Sequence, residues 1–476
     1  MKKALAIFLT VLMTVAMFAG CNPVESATTE KTQASEQATT EAASPTESTV
    51  EPVTIQFWNS AEGAMATSLE YLVNEFNTTV GAEKGITVES VYQGGDVVEK
   101  LKTLAQAGDY ENFPNVGQIY AAGLSALFHM GEDVLLDMDD VYASGQYDIS
   151  VEKADILDIF IRSYTYEDKW IGMPLNASTL LMYYNKDAAV AAGLDVENPP
   201  TTIAELAEWT DALTVRAADG SIERYGMNIQ IDRYELVNFL IGISDGNCNY
   251  IGDNEGGRAG MMTKLTIGED GSLEKFLTEW EKVIATGGYK PVNDDERGEF
   301  ANGLSAINFQ SCAQLSTMIK NTDGKFELGV APIPHCTAED KVGASVGGGS
   351  ICMFDVGTDA EKQASFAFVQ FMVSPESQLY LFQNNGYLPV NRNSYELDAY
   401  KAYIAEEPRA QVAVDQLMAS DPDMQEPFDL IMSELNGLVK ANMIDFANGV
   451  ITKEECKNNI VDGFNAKLAD YIRANG

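Results

Sequence analysis

From Val53 onward, short apolar runs with strand spacing alternate with longer stripes of helical spacing, and this order dictates the class of fold. Val53-Thr54-Ile55-Gln56-Phe57 alternates apolar and polar, as a half-buried strand does. Leu69, Leu72, Val73, Phe76 and Val80 then recur on one face of a helix. Ile86, Val88 and Val91-Tyr92 mark a second strand, broken by Gly94-Gly95, and Val97, Leu101, Leu104 and Ala105 form a second helical stripe. Asn115 to Tyr120 gives a third strand. Strand–helix–strand order at this spacing predicts a parallel α/β sheet with right-handed crossovers, whose ligands bind beyond the carboxyl ends of the strands. Those ends are Trp58-Asn59-Ser60, Gly94-Gly95-Asp96 and Gln118 to Tyr120. A further strand is expected over Thr179 to Tyr184, followed by a helix from Lys186 to Ala192. Thr202 and Glu205 have capping-box spacing, and Ser374-Pro375 has the signature of a helix start. The 424 residues from 53 to 476 exceed a single core and suit two lobes.

What precedes Val53 is of another kind. Lys2 and Lys3 lead an apolar run from Ala4 to Phe18, too short for a comfortable membrane span and typical of a secretory signal. Residues 22–52 carry no aromatic residue and only Val24 and Val50 as large aliphatics. Such a segment cannot offset its ordering entropy by burial, so it reads as a disordered tether, reaching roughly 30 Å as a flexible chain.

The acidic excess narrows the partners. Without Lys2 and Lys3 the chain keeps 29 basic against 71 acidic residues, a charge of about −42. Nucleic acid and anionic lipid surfaces are therefore disfavoured. After Cys21 five cysteines remain, at 248, 312, 336, 352 and 456, none in CxxC spacing; buried free thiols are expected, with a Cys336–Cys352 bridge as the alternative. The two histidines, His129 and His335, have no partner at metal-ligand spacing, and no GxxxxGK[ST] or strand-following GxGxxG occurs. The reading is of a protein without metal, cofactor or catalytic residues. A carboxylate pair of the glycoside-hydrolase kind stays open, because acidic residues are so numerous.

Several blocks resemble known proteins. Phe18-Ala19-Gly20-Cys21 resembles the lipobox of bacterial lipoproteins, with Phe in place of the usual Leu, which implies cleavage before Cys21 and lipidation of its thiol. "FWNSAEG", "GMPLNASTLLMYYNKDAAVAAGLD" from Gly172, "NPPTTIAEL", "FANGLSAINFQSCAQL" from Phe300, "LGVAPIP", "VGGGSICMF" from Val346, "FAFVQFMVSPESQ" and "NNGYLPVN" follow in order. Together they resemble family 1 of the extracellular solute-binding proteins, the substrate-binding lipoproteins of sugar ABC importers, and within it the glycerol-3-phosphate and oligosaccharide binders. The resemblance implies a two-lobed periplasmic-binding-protein type II fold with a hinge and an interlobe cleft. One lobe would comprise 53–175 and 344–390, the other 176–343 and the helical 391–476, with crossings near 175, 343 and 390. It further implies a monomer on the outer face of the cytoplasmic membrane, held there by its N-terminal lipid alone, delivering a carbohydrate to ABC permease subunits.

A sugar offers hydroxyls and a C–H face, so its site combines aromatic rings with amides, hydroxyls and backbone groups. The expected ligand-binding residues are Trp58, Asp96, Tyr120, Asn176, Ser178, Ser311, Gly348, Gly349 and Tyr387. Trp58 serves equally as a core ring and Asp96 equally as a helix cap, while Gly347 to Gly349 either admit ligand to the backbone or simply make a tight turn. Two departures bear on the ligand. Phosphate binders of the family use an Arg on a late helix, yet no Lys or Arg lies between Arg409 and Lys440. The acidic residue of relatives after the third strand is Ala121, and a Trp pair of the second lobe is replaced by Met227 to Arg233, where Arg233 alone could hold an anion. A neutral mono- or oligosaccharide is the expected ligand, with glycerol-3-phosphate as the alternative.

Overall fold

The computed structural model describes residues 51–95, 97–128, 134–243, 249–292 and 295–475. Cys21, the leader, the tether to residue 50, Asp96, His129 and Cys248 lie outside the described residues.

Two mixed sheets share one plan. In the first, Ile86–Tyr92, Val53–Asn59 and Val116–Tyr120 run parallel, Gly347–Met353 is antiparallel to the third, and Met173–Ser178 is antiparallel to that. In the second, Tyr289–Lys290, Ile222–Asn228 and Ser305–Ser311 run parallel, then Leu180–Asn185 and Leu328–Pro332 alternate in direction. Within the first sheet the expected parallel order holds for the opening three strands only. Gly347–Met353 returns from far along the sequence in the opposite direction, and nothing local announces such a pairing.

The elements form where the side chains dictate. Helix Gly63–Thr78 buries Leu69, Leu72, Val73 and Phe76, and helix Val97–Gln106 buries Val97 and Leu101. Thr202 and Glu205 form the reciprocal capping box that starts helix Ile203–Leu213, whose Trp209 is buried. Ser374 accepts the Ser377 amide ahead of helix Pro375–Asn384. Leu180, Met182 and Tyr184 enter one core, while Leu181 and Tyr183 on the opposite face enter another, so the second sheet is covered on both sides. Strands buried on both faces read as continuous apolar runs, as "LLMYYN" does.

The chain changes sheet at Thr179, the single residue between Met173–Ser178 and Leu180–Asn185. It returns between Pro332 and Gly347. Helix Gln411–Ala419 packs on Leu328–Pro332, and helices Met432–Ala447 and Lys453–Asn475 pack on each other and on the second sheet's helices Arg233–Leu240 and Ser272–Ala285. Cys312, Cys336, Cys352 and Cys456 are buried free thiols, and burial pushes each up to about 12. Among the described residues no helix is long and apolar enough to cross a membrane.

Candidate functional site

The register of the first sheet builds the site. Gly349 pairs with Tyr120 on one side and Asn176 on the other, Gly348 with Ala177, and Gly347 with Ser178. Three strands therefore bring Tyr120, Gly349 and Asn176 into one row. A bridge between Ala177 and Leu388 sets Tyr387 beside that row. At Gly348 the glycine is a steric necessity. Gly348 has φ +99°, and a β-carbon on it would stand 1.9 Å from the Asn176 carbonyl oxygen; one on Gly347 would meet the Tyr234 hydroxyl at 3.0 Å.

Asn176 is fully buried and its Oδ1 accepts from Gln118 Nε2 at 3.1 Å. The Tyr387 phenol faces Asn176, and burial, then Tyr120, holds it above its ordinary range, so it stays a protonated donor at neutral pH. Tyr164 and Tyr234 are raised by burial in the same way. Tyr234 borders Ser178 and Gly347 and sits within the Asp232–Glu235 capping box that opens helix Arg233–Leu240. Just behind, Arg233 Nη2 meets Glu426 Oε2 at 2.9 Å and its Nε lies 3.9 Å from Asp429 Oδ2.

Most buried side-chain polar atoms without a hydrogen-bond partner, among the described residues, belong to this neighbourhood: Gln118 Oε1, Asn176 Nδ2, Tyr164 Oη, Tyr234 Oη, Arg233 Nη1 and both Asp429 oxygens. Unpaired buried polar groups are costly, and proteins keep them chiefly where a ligand or water is to be met. A cavity of about 450 Å³ opens from the row. Ser60, Gly95, Gln118 and Tyr120 line it from the strand ends, helix Val97–Gln106 forms a side, and Asp429 to Glu434 with Tyr471 close the far wall. Tyr120 is 43% exposed and offers a ring face there.

Of the sequence-derived site residues, Tyr120 lines the cavity, while Asn176, Ser178, Gly348, Gly349 and Tyr387 gather along the strand row behind it and are not part of its lining. Ser311 ends its strand nearby and caps the turn at Cys312, whose N–H donates to the Thr179 carbonyl at 2.8 Å. Trp58 does not line the cavity; its indole packs on the cluster of Val97 and Leu101 and donates to Gln56 Oε1 at 3.2 Å. Asp96 is outside the described residues. Gln118 was named only as part of a strand end and Arg233 only as a lone cation. Tyr234, Glu426 and Asp429 were not anticipated; the capping-box spacing of Asp232 and Glu235 around Tyr234 marks only a helix start. Among the described residues no cluster of three or more His, Cys, Asp or Glu is placed to hold a metal.

Two sheets of one plan, joined by a one-residue crossing and sharing a polar cavity, define a two-lobed solute-binding protein. Residues 71–408 match the model of the bacterial extracellular solute-binding proteins, and the chain belongs to that family, whose members serve ABC transporters. The sn-glycerol-3-phosphate-binding periplasmic protein UgpB of Salmonella typhimurium is 26% identical over 434 residues, covering 88% of this chain and 94% of the relative. Among solved structures, the sugar-binding protein MalE of Xanthomonas citri superposes with a TM-score of 0.71 at 20% identity, over 89% of this chain and 99% of its own. UgpB of Mycobacterium tuberculosis, in complex with glycerophosphocholine, gives 0.69 at 21% identity, over 88% and 99%. The cyclic alpha-maltosyl-1,6-maltose binding protein of Arthrobacter globiformis gives 0.69 at 20% identity, over 88% and 100%.

Proposed function

We propose that this protein captures a neutral mono- or oligosaccharide in the cavity beside Tyr120, Asn176 and Tyr387 and delivers it to an ABC permease. The observation that carries the reading is the state of the cations. Lys102, which lines the cavity, is 2.7 Å from Glu99, and Arg233 is committed to Glu426 and Asp429. A phosphate needs charge-assisted donors, and each of these two cations already faces a carboxylate. Phenols, amides and a free ring face suit hydroxyls and C–H surface instead.

In this reading the halves close on the sugar about the crossings, because only the closed form contacts it from both sides. We take 53–178 with 344–390 as one rigid body and 180–343 with 391–476 as the other, with Thr179 as the first crossing, a few residues beyond the expected position near 175. Signal cleavage and lipidation at Cys21 keep the protein on the outer face of the cytoplasmic membrane, and it works as a monomer without catalysis. The second reading, a glycerol-phosphate ligand, is favoured by the names of the relatives at 26% identity.

Calorimetric titration with malto-, xylo- and manno-oligosaccharides and with glycerol-3-phosphate separates these. Tight saccharide binding with a raised melting temperature is the expected result. Tight glycerol-3-phosphate binding overturns it, and turnover of an oligosaccharide would establish a hydrolase. Cys21→Ser is expected to leave binding intact while releasing the protein from membranes.

A further inference from the structure

We infer that Arg258 is a clasp between the two bodies, holding them in the arrangement in which both line the cavity. The inference rests on the two-bodied part of the reading above and adds the contact that sets the resting angle.

Arg258 belongs to the body of residues 180–343, yet its guanidinium serves other stretches of chain. Nη1 donates to the carbonyls of Arg162 and Ser163, in the opposite body, at 2.9 and 3.1 Å. Nη2 donates to the Glu426 carbonyl at 2.7 Å, and the guanidinium lies 4.0 Å from the centre of the Phe428 ring. Backbone bonds run alongside: the Arg258 carbonyl accepts from Glu167 N–H at 2.8 Å, and Phe428 N–H donates to the Gly256 carbonyl at 2.7 Å. Around this centre Ser163 Oγ donates to Gln425 Oε1 at 2.7 Å, Arg162 pairs with Asp423, and the Tyr166 and Phe428 rings stack. Arg258 is only 7% exposed. A buried planar fork can hold three carbonyls at once, which a point charge cannot.

The backbone that presents Arg258 is unusual. Asn254, Glu255, Gly256 and Gly257 are all left-handed, with φ from +50° to +87°, and a β-carbon on Gly257 would stand 2.3 Å from the Phe428 carbonyl oxygen. Among the described residues the only other left-handed residues besides glycines are Glu167 and Asp168, in the hairpin turn that bonds to Arg258 from the opposite body. Such backbone persists where its surroundings over-determine it, and it gathers at contacts that switch. Here both strained turns meet at one arginine. An opening of about 610 Å³ beside them, bordered by Thr165, Glu167, Asp168, Tyr250 and Glu255, leaves them room to part.

The direction of the effect follows from the cavity walls. With the clasp made, Gln118 and Tyr120 of one body and Asp429 to Glu434 and Tyr471 of the other line the same cavity. A contact made in that arrangement and lost on splaying favours it, and raises the fraction of molecules ready to bind.

Small-angle scattering and calorimetry on the full chain test this. Arg258→Lys keeps the charge but cannot span three carbonyls, and without ligand it is expected to show a larger radius of gyration than wild type. Its affinity for the tightest binder among the malto-, xylo- and manno-oligosaccharides is expected to fall about tenfold, because apparent affinity scales with the binding-ready fraction. Saturation with that sugar is expected to restore the dimensions of liganded wild type, which partial unfolding would not allow. Arg162→Glu, on the half-exposed rim facing Asp423, alters no buried group and is expected to move both readouts the same way by less. Variants that melt cooperatively and keep the wild-type radius overturn the clasp, and so does a smaller radius or tighter binding. The radius without ligand needs no sugar. Wild type that binds none of these oligosaccharides therefore overturns the saccharide reading, while enlarged variants still support the clasp.

Discussion

A β-carbon on Gly348 would stand 1.9 Å from a backbone oxygen, at a φ of +99° that other residues adopt only under strain. Gly348→Ala is therefore expected to cost about 1–3 kcal/mol from the dihedral alone, with the clash added, and to show as a lowered calorimetric melting temperature. Tyr387→Ala is expected to weaken saccharide binding by about 1–3 kcal/mol, as for buried aromatic anchors; affinity unchanged per folded molecule would assign the ring to packing. Asp429 makes a prediction with a definite sign. Its carboxyl sits at about 6 in the folded protein against an ordinary 3.8, so between those values the folded state holds the extra proton. This group's contribution to stability accordingly declines as pH rises from about 4 to about 6, by up to about 3 kcal/mol. Denaturation of Asp429→Asn across that range is expected to lack the decline. Asn176, Ser178, Gly348, Gly349 and Tyr387 were named because each sits in a block that carries the family pattern, and Tyr120 because it ends the third strand. Glu426 and Asp429 were not, because "DPDMQEPFDL" has no period and two prolines, and its partner Arg233 lies 193 residues from Glu426 along the chain.

At the scale of elements, the local signals translated well into structure. Thr202 and Glu205 cap helix Ile203–Leu213 reciprocally, Glu205 N–H donating to Thr202 Oγ1 at 3.2 Å and Thr202 N–H to Glu205 Oε2 at 3.1 Å. Thr202→Ala is expected to lower stability by about 1 kcal/mol in urea denaturation without altering ligand affinity, since the helix lies away from the cavity. Trp58 shows where strand-end logic ends. It shares a face with the exposed Gln56, whose Oε1 accepts the indole N–H, and its half-buried ring packs on the cluster of Val97 and Leu101 rather than lining the cavity. Sheet order was beyond local reading as well. Gly347–Met353 inserts between Val116–Tyr120 and Met173–Ser178, a pairing set by tertiary contacts and by a bulge at Gly349/Ser350.

For the whole molecule, the composition and the order of blocks sufficed for the two-lobed plan, because a long chain with repeated α/β signals has few ways to bury itself. Closure on a saccharide is expected to shrink the radius of gyration in small-angle scattering, and an unchanged profile with bound ligand would count against a hinge. The joint at Thr179 carries a consequence of its own. Its carbonyl accepts from Cys312, its N–H meets Cys312 Sγ at 3.4 Å, and its hydroxyl accepts from Gln416 at 2.9 Å, so it is riveted to the second half of the protein. At this crossing a swing would fall on the peptide linking it to Ser178, as a door turns on one of its pins. A dye fixed beside that pin changes surroundings with the angle, which makes this short stretch of backbone the natural place to mount an optical gauge of the captured cargo.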